Sequence, residues 1–179
     1  MGLSEALRRE PAAKGGAQRR AFHGSLWIFM VKIRALVGLE VTSKAPMSNL
    51  ERDPVVSAVI GVAIEVHRCL GPGLIEAAYQ TCLAHELCER GLQVEAEVPV
   101  PLMFKGIRMD CGFRLDFLVD RGVIVEVKSV EQLAPIHTAQ VLTYLLLTGA
   151  RQALLINFNG VTLIEGLKSF LGDREARSH

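Results

Sequence analysis

The spacing of apolar residues changes twice along the chain, and the changes mark its elements. From Asp53 onward Val55, Val59, Val62, Val66 and Cys69 or Leu70 recur at helical intervals, which predicts an amphipathic helix. Asp53 can cap it with Pro54 at its first position, and Gly71-Pro72-Gly73 breaks it. A second helix is expected over roughly 74–90, with Gly91 placed for a left-handed cap. The period then drops to two. Residues 92–104 alternate as a strand that Pro99 and Pro101 confine to a sheet edge or an irregular stretch. Two further strands are expected at 107–119 and 123–128, with turns at Lys105-Gly106 and Arg121-Gly122. Residues 136–148 form an apolar helix ended by Gly149, and 153–158 a buried strand. Asn159-Gly160 reads as a tight turn and 161–164 as a short return strand. The order α-α-β-β-β-α-β-β predicts an α/β (α+β-like) domain in which helices flank a small mixed sheet, with no internal repeat.

Residues 1–46 fall outside this pattern. Arg8, Arg9, Lys14, Arg19 and Arg20 alternate with Ala and Gly, and the apolar run at 26–31 is too short for a secretory signal. An organelle transit peptide or a twin-Arg export signal is compatible with such a leader. Composition favours a mobile tail, or an upstream extension with Met47 as the working start. The expected division is a basic extension at 1–46, a domain at 47–172 and a polar tail at 173–179. Charge follows the same division: 1–46 carry a net +5, and 47–179 a net −4.

With 50% apolar and 22% charged residues, the 179-residue chain can bury a core, which excludes disorder or a rod as its main description. No apolar run reaches the roughly 18 residues that span a bilayer, so no membrane partner is expected. Cys69, Cys82, Cys88 and Cys111 form no C-x-x-C pair. That argues against a zinc cluster and leads to an expectation of buried thiols in a reducing cytoplasm, with Cys82 and Cys88 in the core.

The chemistry concentrates at 114–128, where charges sit on strands that should bury apolar groups. Alternation puts Ile124, Glu126 and Lys128 on one face and Val123, Val125 and Val127 on the other. A three-residue turn, Asp120-Arg121-Gly122 with Gly122 left-handed, would pair Val119 with Val123 and set Asp116 opposite Glu126. Two bare carboxylates at roughly 4.5–5.5 Å repel each other. A divalent cation between them converts that cost into a binding site, with Lys128 projecting beside it. A solvated hairpin face is the competing reading of the same charges.

Asp116…Glu126-Val127-Lys128 resembles the core of the PD-(D/E)XK nucleases. Three further features narrow the likeness. Gly73-Leu74-Ile75-Glu76-Ala77-Ala78-Tyr79 reads G-x-x-E-x-x-Y after Leu70-Gly71-Pro72, and Gln140-Val141-Leu142-Thr143-Tyr144 reads Q-x-x-x-Y. Glu65-Val66-His67 and the stretch from Leu155 to Asn159 complete the set. From about Leu50 to Leu171 the chain is similar to the GxxExxY protein family, a bacterial branch of that superfamily. The resemblance implies a restriction-endonuclease-like core and Mg²⁺- or Mn²⁺-dependent hydrolysis of nucleic acid, with DNA the first candidate. It implies that Asp116, Glu126 and the Val127 carbonyl hold metal, with Glu76 binding it directly or through water. Lys128 would orient the nucleophile, and Gln140 would position water or hold DNA. Tyr79 and Tyr144 are pocket walls or core residues. His67 is a metal ligand or a structural histidine at a helix end, and His137 is the weaker candidate of the two. The competing classes are a non-catalytic nucleic-acid- or protein-binding module on the same fold, and a homo-oligomeric scaffold built on the apolar 141–147 helix. That helix is more simply core.

Overall fold

The computed structural model describes residues 53–172; the basic segment 1–46, its apolar run at 26–31 and the tail 173–179 lie outside the described residues. Helix α1 (Pro54–Leu70) starts at Asp53, whose carboxylate accepts the Val55 N–H at 2.9 Å, and stops where Gly71 takes a φ of 67°. It buries Val56, Val59, Val62, Ala63 and Val66. The stripe therefore begins at Val56, three residues before Val59, where Val55 was expected. At the end of the helix Cys69 and Leu70 are exposed. Helix α2 (Glu76–Glu89) buries Tyr79, Leu83 and Leu87 at four-residue intervals. Cys88 is off that stripe and exposed, and Cys82 is half-buried at its margin. The expectation of buried thiols is corrected: all four cysteines are free, two exposed and two partly covered.

Five strands come next, β1 (Val94–Phe104), β2 (Ile107–Val119), β3 (Val123–Lys128), β4 (Gln152–Asn157) and β5 (Leu167–Leu171), lying side by side in chain order. Pairing is antiparallel except for β3 with β4, which are joined through helix α3 (Pro135–Thr148). β1 is an edge strand, as its prolines require.

The sheet separates two clusters. One packs α1 and α2 on Phe117, Val119, Val123, Val125, Val127, Leu154 and Ile156. The other packs Val141, Tyr144 and Leu145 of α3 on Leu115, Ile124, Ala153 and Leu155. The apolar α3 run is thus core, with Leu146 its exposed member.

Two turns differ from expectation. The β2–β3 connection has the predicted register, Val119↔Val123, but the positive φ values belong to Asp120 (44°) and Arg121 (52°), not to Gly122. Asp120 tolerates that region, and its carboxylate accepts the Gln93 N–H. Gly122 instead lies beside the Arg151 guanidinium, which runs past it to the Asp53 carboxylate. The second difference lies after β4. Instead of a strand at 161–164, the chain makes a short 3-10 turn (Leu163–Gly166) before β5. Gly166 lies so close on the Asn157 carbonyl that a side chain would not fit, which sets the start of β5 at Leu167. Val161, read as a strand residue, is 86% exposed.

Candidate active site

The β2–β3 ladder stops at Phe117↔Val125. In the same register Asp116 faces Glu126, but there the strands part. The Asp116 carboxylate replaces the backbone partner and accepts the Val127 N–H at 2.8 Å. Strict alternation would put Leu115 and Phe117 on one face. Instead Leu115 packs with α3 and Phe117 with α1 and α2, so β2 bends at Asp116. The bend opens the sheet beside β3 and leaves a carboxylate on each lip.

Glu126 is buried, 1% exposed, in the middle of a strand of valines and isoleucine. Its Oε1 accepts from Lys128 Nζ at 2.7 Å, whereas its Oε2 is buried without any hydrogen-bond partner. Burial is the main cause that pushes its carboxyl up to about 7; the Asp116 charge adds to it, and Lys128 opposes. A buried acceptor without a donor costs roughly 1–3 kcal/mol, more if charged. The orphaned oxygen beside a second carboxylate is the arrangement that a divalent cation relieves, and an all-oxygen set suits Mg²⁺ or Mn²⁺. Among the described residues no three His, Cys, Asp or Glu side chains form a complete metal-ligand group. Glu126 and Asp116 are the two that fit.

Lys128 is held between carboxylates. Its ammonium is 2.7 Å from Glu126 and 3.8 Å from Glu76. Burial works against its charge, but Glu126, Asp116 and Glu76 outweigh it and raise its pKa, so Lys128 is a fixed cation. Glu76 reaches the site because α2 begins there. The loop before it is tied by Tyr79, whose hydroxyl donates to Gly71 O at 2.6 Å and accepts from Leu74 N at 3.1 Å. The Ser129 hydroxyl donates to Leu74 O at 2.6 Å, binding the same loop to the end of β3. Tyr79 is fully buried and stacks on Phe158 with centroids 4.6 Å apart, a core residue and not a pocket wall. Gly73, with a φ of 100°, supplies the turn. The spacing of Gly73, Glu76 and Tyr79 thus positions one carboxylate.

Gln140 and Tyr144 share one face of α3, and Gln140 Nε2 donates to the Tyr144 hydroxyl at 2.9 Å. That hydroxyl donates to Arg114 O at 2.8 Å, fixing β2 two residues before Asp116. Burial is the first cause that raises the Tyr144 pKa, so it stays a neutral donor. His67 is not drawn into the carboxylates. Its Nε2 lies 3.0 Å from Gly160 O, tying the end of α1 to the loop after β4.

Sequence reasoning underrated one residue near the site and missed another. The first is His137, whose Nδ1 accepts from Ala134 N at 3.2 Å, which leaves Nε2 to carry the proton of the neutral ring. Its pKa is lowered first by burial, then by the charge of Lys128, with Glu76 opposing, so its ring feels both. The second is Asn157, paired with Lys128 across the parallel ladder, which accepts from Val130 N at 3.0 Å and donates to Val130 O at 2.8 Å. It locks the chain leaving β3. A helix-opening histidine after Pro135, and a polar residue ending an otherwise apolar strand, were the available signals. A groove of about 230 Å³ lies between α2 and the bent strands, lined by Gln80, Thr81, Glu97, Arg114 and Asp116 among others.

Searches of curated protein sequences and of solved structures gave no match to the chain. A family model described as the PD-(D/E)XK nuclease superfamily matches residues 53–170, the stretch that holds every residue of this site. Carboxylates at a strand bend, a lysine two residues after the second, and this match over more than half of the sequence lead to one conclusion: the chain belongs to the PD-(D/E)XK nuclease superfamily.

Proposed function

We propose that the protein is a metal-dependent nuclease that hydrolyses phosphodiester bonds of nucleic acid, with DNA as the polymer, Mg²⁺ or Mn²⁺ as the ion and the cytoplasm as the compartment. The observation that carries this reading is the buried, unpartnered Oε2 of Glu126 beside Asp116. Asp116, Glu126 and the Val127 carbonyl would hold the ion, with Glu76 supporting directly or through water. A bound divalent cation supplies a water of lowered pKa and polarises the scissile phosphate. Lys128, kept protonated, offsets the charge that gathers on the phosphate oxygens and orients the attacking water. Gln140 and Tyr144 keep Asp116 in place through the Arg114 carbonyl. The geometry of Gly73, Glu76 and Tyr79 also supports membership of the GxxExxY branch, and with it a bacterial source.

The test is a cleavage assay on labelled single- and double-stranded DNA and RNA in Mg²⁺, Mn²⁺ or EDTA. Glu126→Ala and Lys128→Ala should abolish cleavage while retaining a cooperative unfolding transition. Variants that cut at the wild-type rate would overturn the reading. A non-catalytic nucleic-acid- or protein-binding module is the second reading, favoured by the net −4 of residues 47–179, since a nuclease that grips duplex normally recruits a basic surface. Such a module would show no rise in melting temperature when Mg²⁺ or Mn²⁺ is titrated in.

A further inference from the structure

The face of the sheet that carries Glu126 also carries an unpaired cation two strands away. Glu126 pairs with Leu155 across the parallel ladder, and Leu155 with Lys168 across the antiparallel one, so the three side chains form a row on one face. That face is the one α3 covers, since Leu155 and Phe170, two residues along β5 from Lys168, belong to its cluster. Lys128 stands on it too, two residues beyond Glu126 and hydrogen-bonded to it. Residues 53–172 contain three lysines, Lys105, Lys128 and Lys168, and two of them are on this face. Their surroundings differ. Lys128 is held by Glu126 and Glu76. Lys168 is half-buried, and among the described residues no carboxylate forms an ion pair with it.

The third member of the group is His137. The crossover between parallel β3 and β4 makes α3 run back against them, so its first turn lies toward the end of β3. His137, Gln140 and Tyr144 follow at intervals of three and four, on the face that Tyr144 turns to the sheet. Seven residues place His137 about 10 Å along the axis from Tyr144, level with the Glu126 and Lys128 end of β3. Its Nδ1 accepts from Ala134 N, and Nε2, which then carries the proton, has no hydrogen-bond partner among the described residues. Burial comes first among the causes that lower its pKa; the charges of Lys128 and Lys168 add to it, and Glu76 opposes. His137 is thus a neutral N–H donor in the field of both lysines.

With Lys128 taken by its carboxylates, the Lys168 ammonium and the His137 N–H are the donors left over on this face. A phosphodiester offers their complement, one negative charge and two acceptor oxygens. We propose that Lys168 and the Nε2–H of His137 form a second phosphate subsite, which holds the phosphate of the substrate strand next to the one being cleaved. The proposal rests on the nuclease reading and adds a substrate class to it: a strand gripped at two phosphates, in preference to an isolated phosphodiester. Two strand spacings, roughly 10 Å, separate the backbone of Lys168 from that of Glu126, and the lysine side chain spans much of that distance. β5 is also an edge strand, where a lysine discourages pairing between copies. That role asks nothing of His137.

The test follows binding of fluorescent single-stranded DNA to the full chain by anisotropy in EDTA, so that no cleavage intervenes. Lys168→Ala should weaken binding about tenfold. It should also reduce the slope of log affinity against log salt by roughly 0.7, the share of one phosphate. Lys168→Arg should restore both. His137→Leu should weaken binding about fivefold with the salt slope unaltered, because a neutral donor displaces no counterion. Unchanged binding and slope in Lys168→Ala would overturn the proposal, as would a loss that Lys168→Arg does not restore. A Lys168→Ala protein that binds DNA normally but associates in sedimentation would overturn it in favour of the edge-strand role. Inorganic phosphate that raises the melting temperature of wild type but not of Lys168→Ala, with strand binding equal in the two, would replace the strand by a free anion. A wild-type protein that binds DNA through Lys168 and His137 but cleaves nothing in Mg²⁺ or Mn²⁺ would sink the nuclease reading and leave the subsite standing. Cleavage by wild type, with Lys168→Ala equal to it in binding and in KM, would do the reverse.

Discussion

Glu126 concentrates the energetic cost of the site. Its carboxyl has a folded-state pKa of about 7 against an ordinary 4.5. Because the folded value is raised, the penalty is absent below pH 4.5, grows as pH rises toward 7 and is full above it. Glu126→Gln removes the charge while keeping the shape. In EDTA it should therefore stabilise the domain at pH 8 by up to about 3 kcal/mol, with the gain vanishing near pH 4.5. Urea unfolding at the two pH values reads the difference. The same titration governs the metal: a cation needs the ionised carboxylate, so stabilisation by Mn²⁺ should increase as pH passes 7 and disappear in Glu126→Gln. Asp116→Asn keeps an oxygen for the Val127 N–H but loses the charge, and is expected to lower cleavage at least a hundredfold while leaving the melting temperature within a few degrees.

At the level of elements, the loop before α2 decides whether Glu76 reaches Lys128. Tyr79→Phe retains the stack on Phe158 and removes both hydrogen bonds of the hydroxyl. It should cost about 1–2 kcal/mol in urea unfolding. Exchange of the Leu74 amide should speed up, whereas exchange in β3 should not. The turn register was legible in the sequence, since Val119 pairs with Val123 as the spacing predicts, whereas the bend at Asp116, where the ladder ends and alternation breaks, was not. The helix stripe was legible to within one residue, Val56 for Val55. What escaped depends on contacts distant in sequence. Arg151 crosses beside Gly122, and Gly166 lies against the Asn157 carbonyl, contacts that leave no local pattern. The surroundings of His137 and Asn157 were invisible for the same reason, since each matters only through what the fold sets beside it.

For the whole molecule, the match at 53–170 leaves residues 1–46 outside the family domain. We expect a chain starting at Met47 to unfold at the same urea midpoint and to cleave at the same rate as the full chain, because both described core clusters draw on residues from Val55 onward and the family match begins at 53. A lower midpoint would show that the leader contributes to the fold. Among the described residues no helix is long and apolar enough to cross a membrane.

The one parallel pairing in the sheet has a consequence for when this centre comes into being. Lys128 meets Asn157 across a sequence separation of 29, and the loop before α2 reaches Ser129 from 55 residues upstream. Such closures are slow to form compared with local hairpins. During synthesis the β1–β2–β3 meander and its carboxylates emerge first, but the clamp on the end of β3 cannot form until Asn157 has left the ribosome. A growing chain would therefore carry the acidic residues of this site without their geometry, and the assembled site would arrive late, with the closing of the crossover.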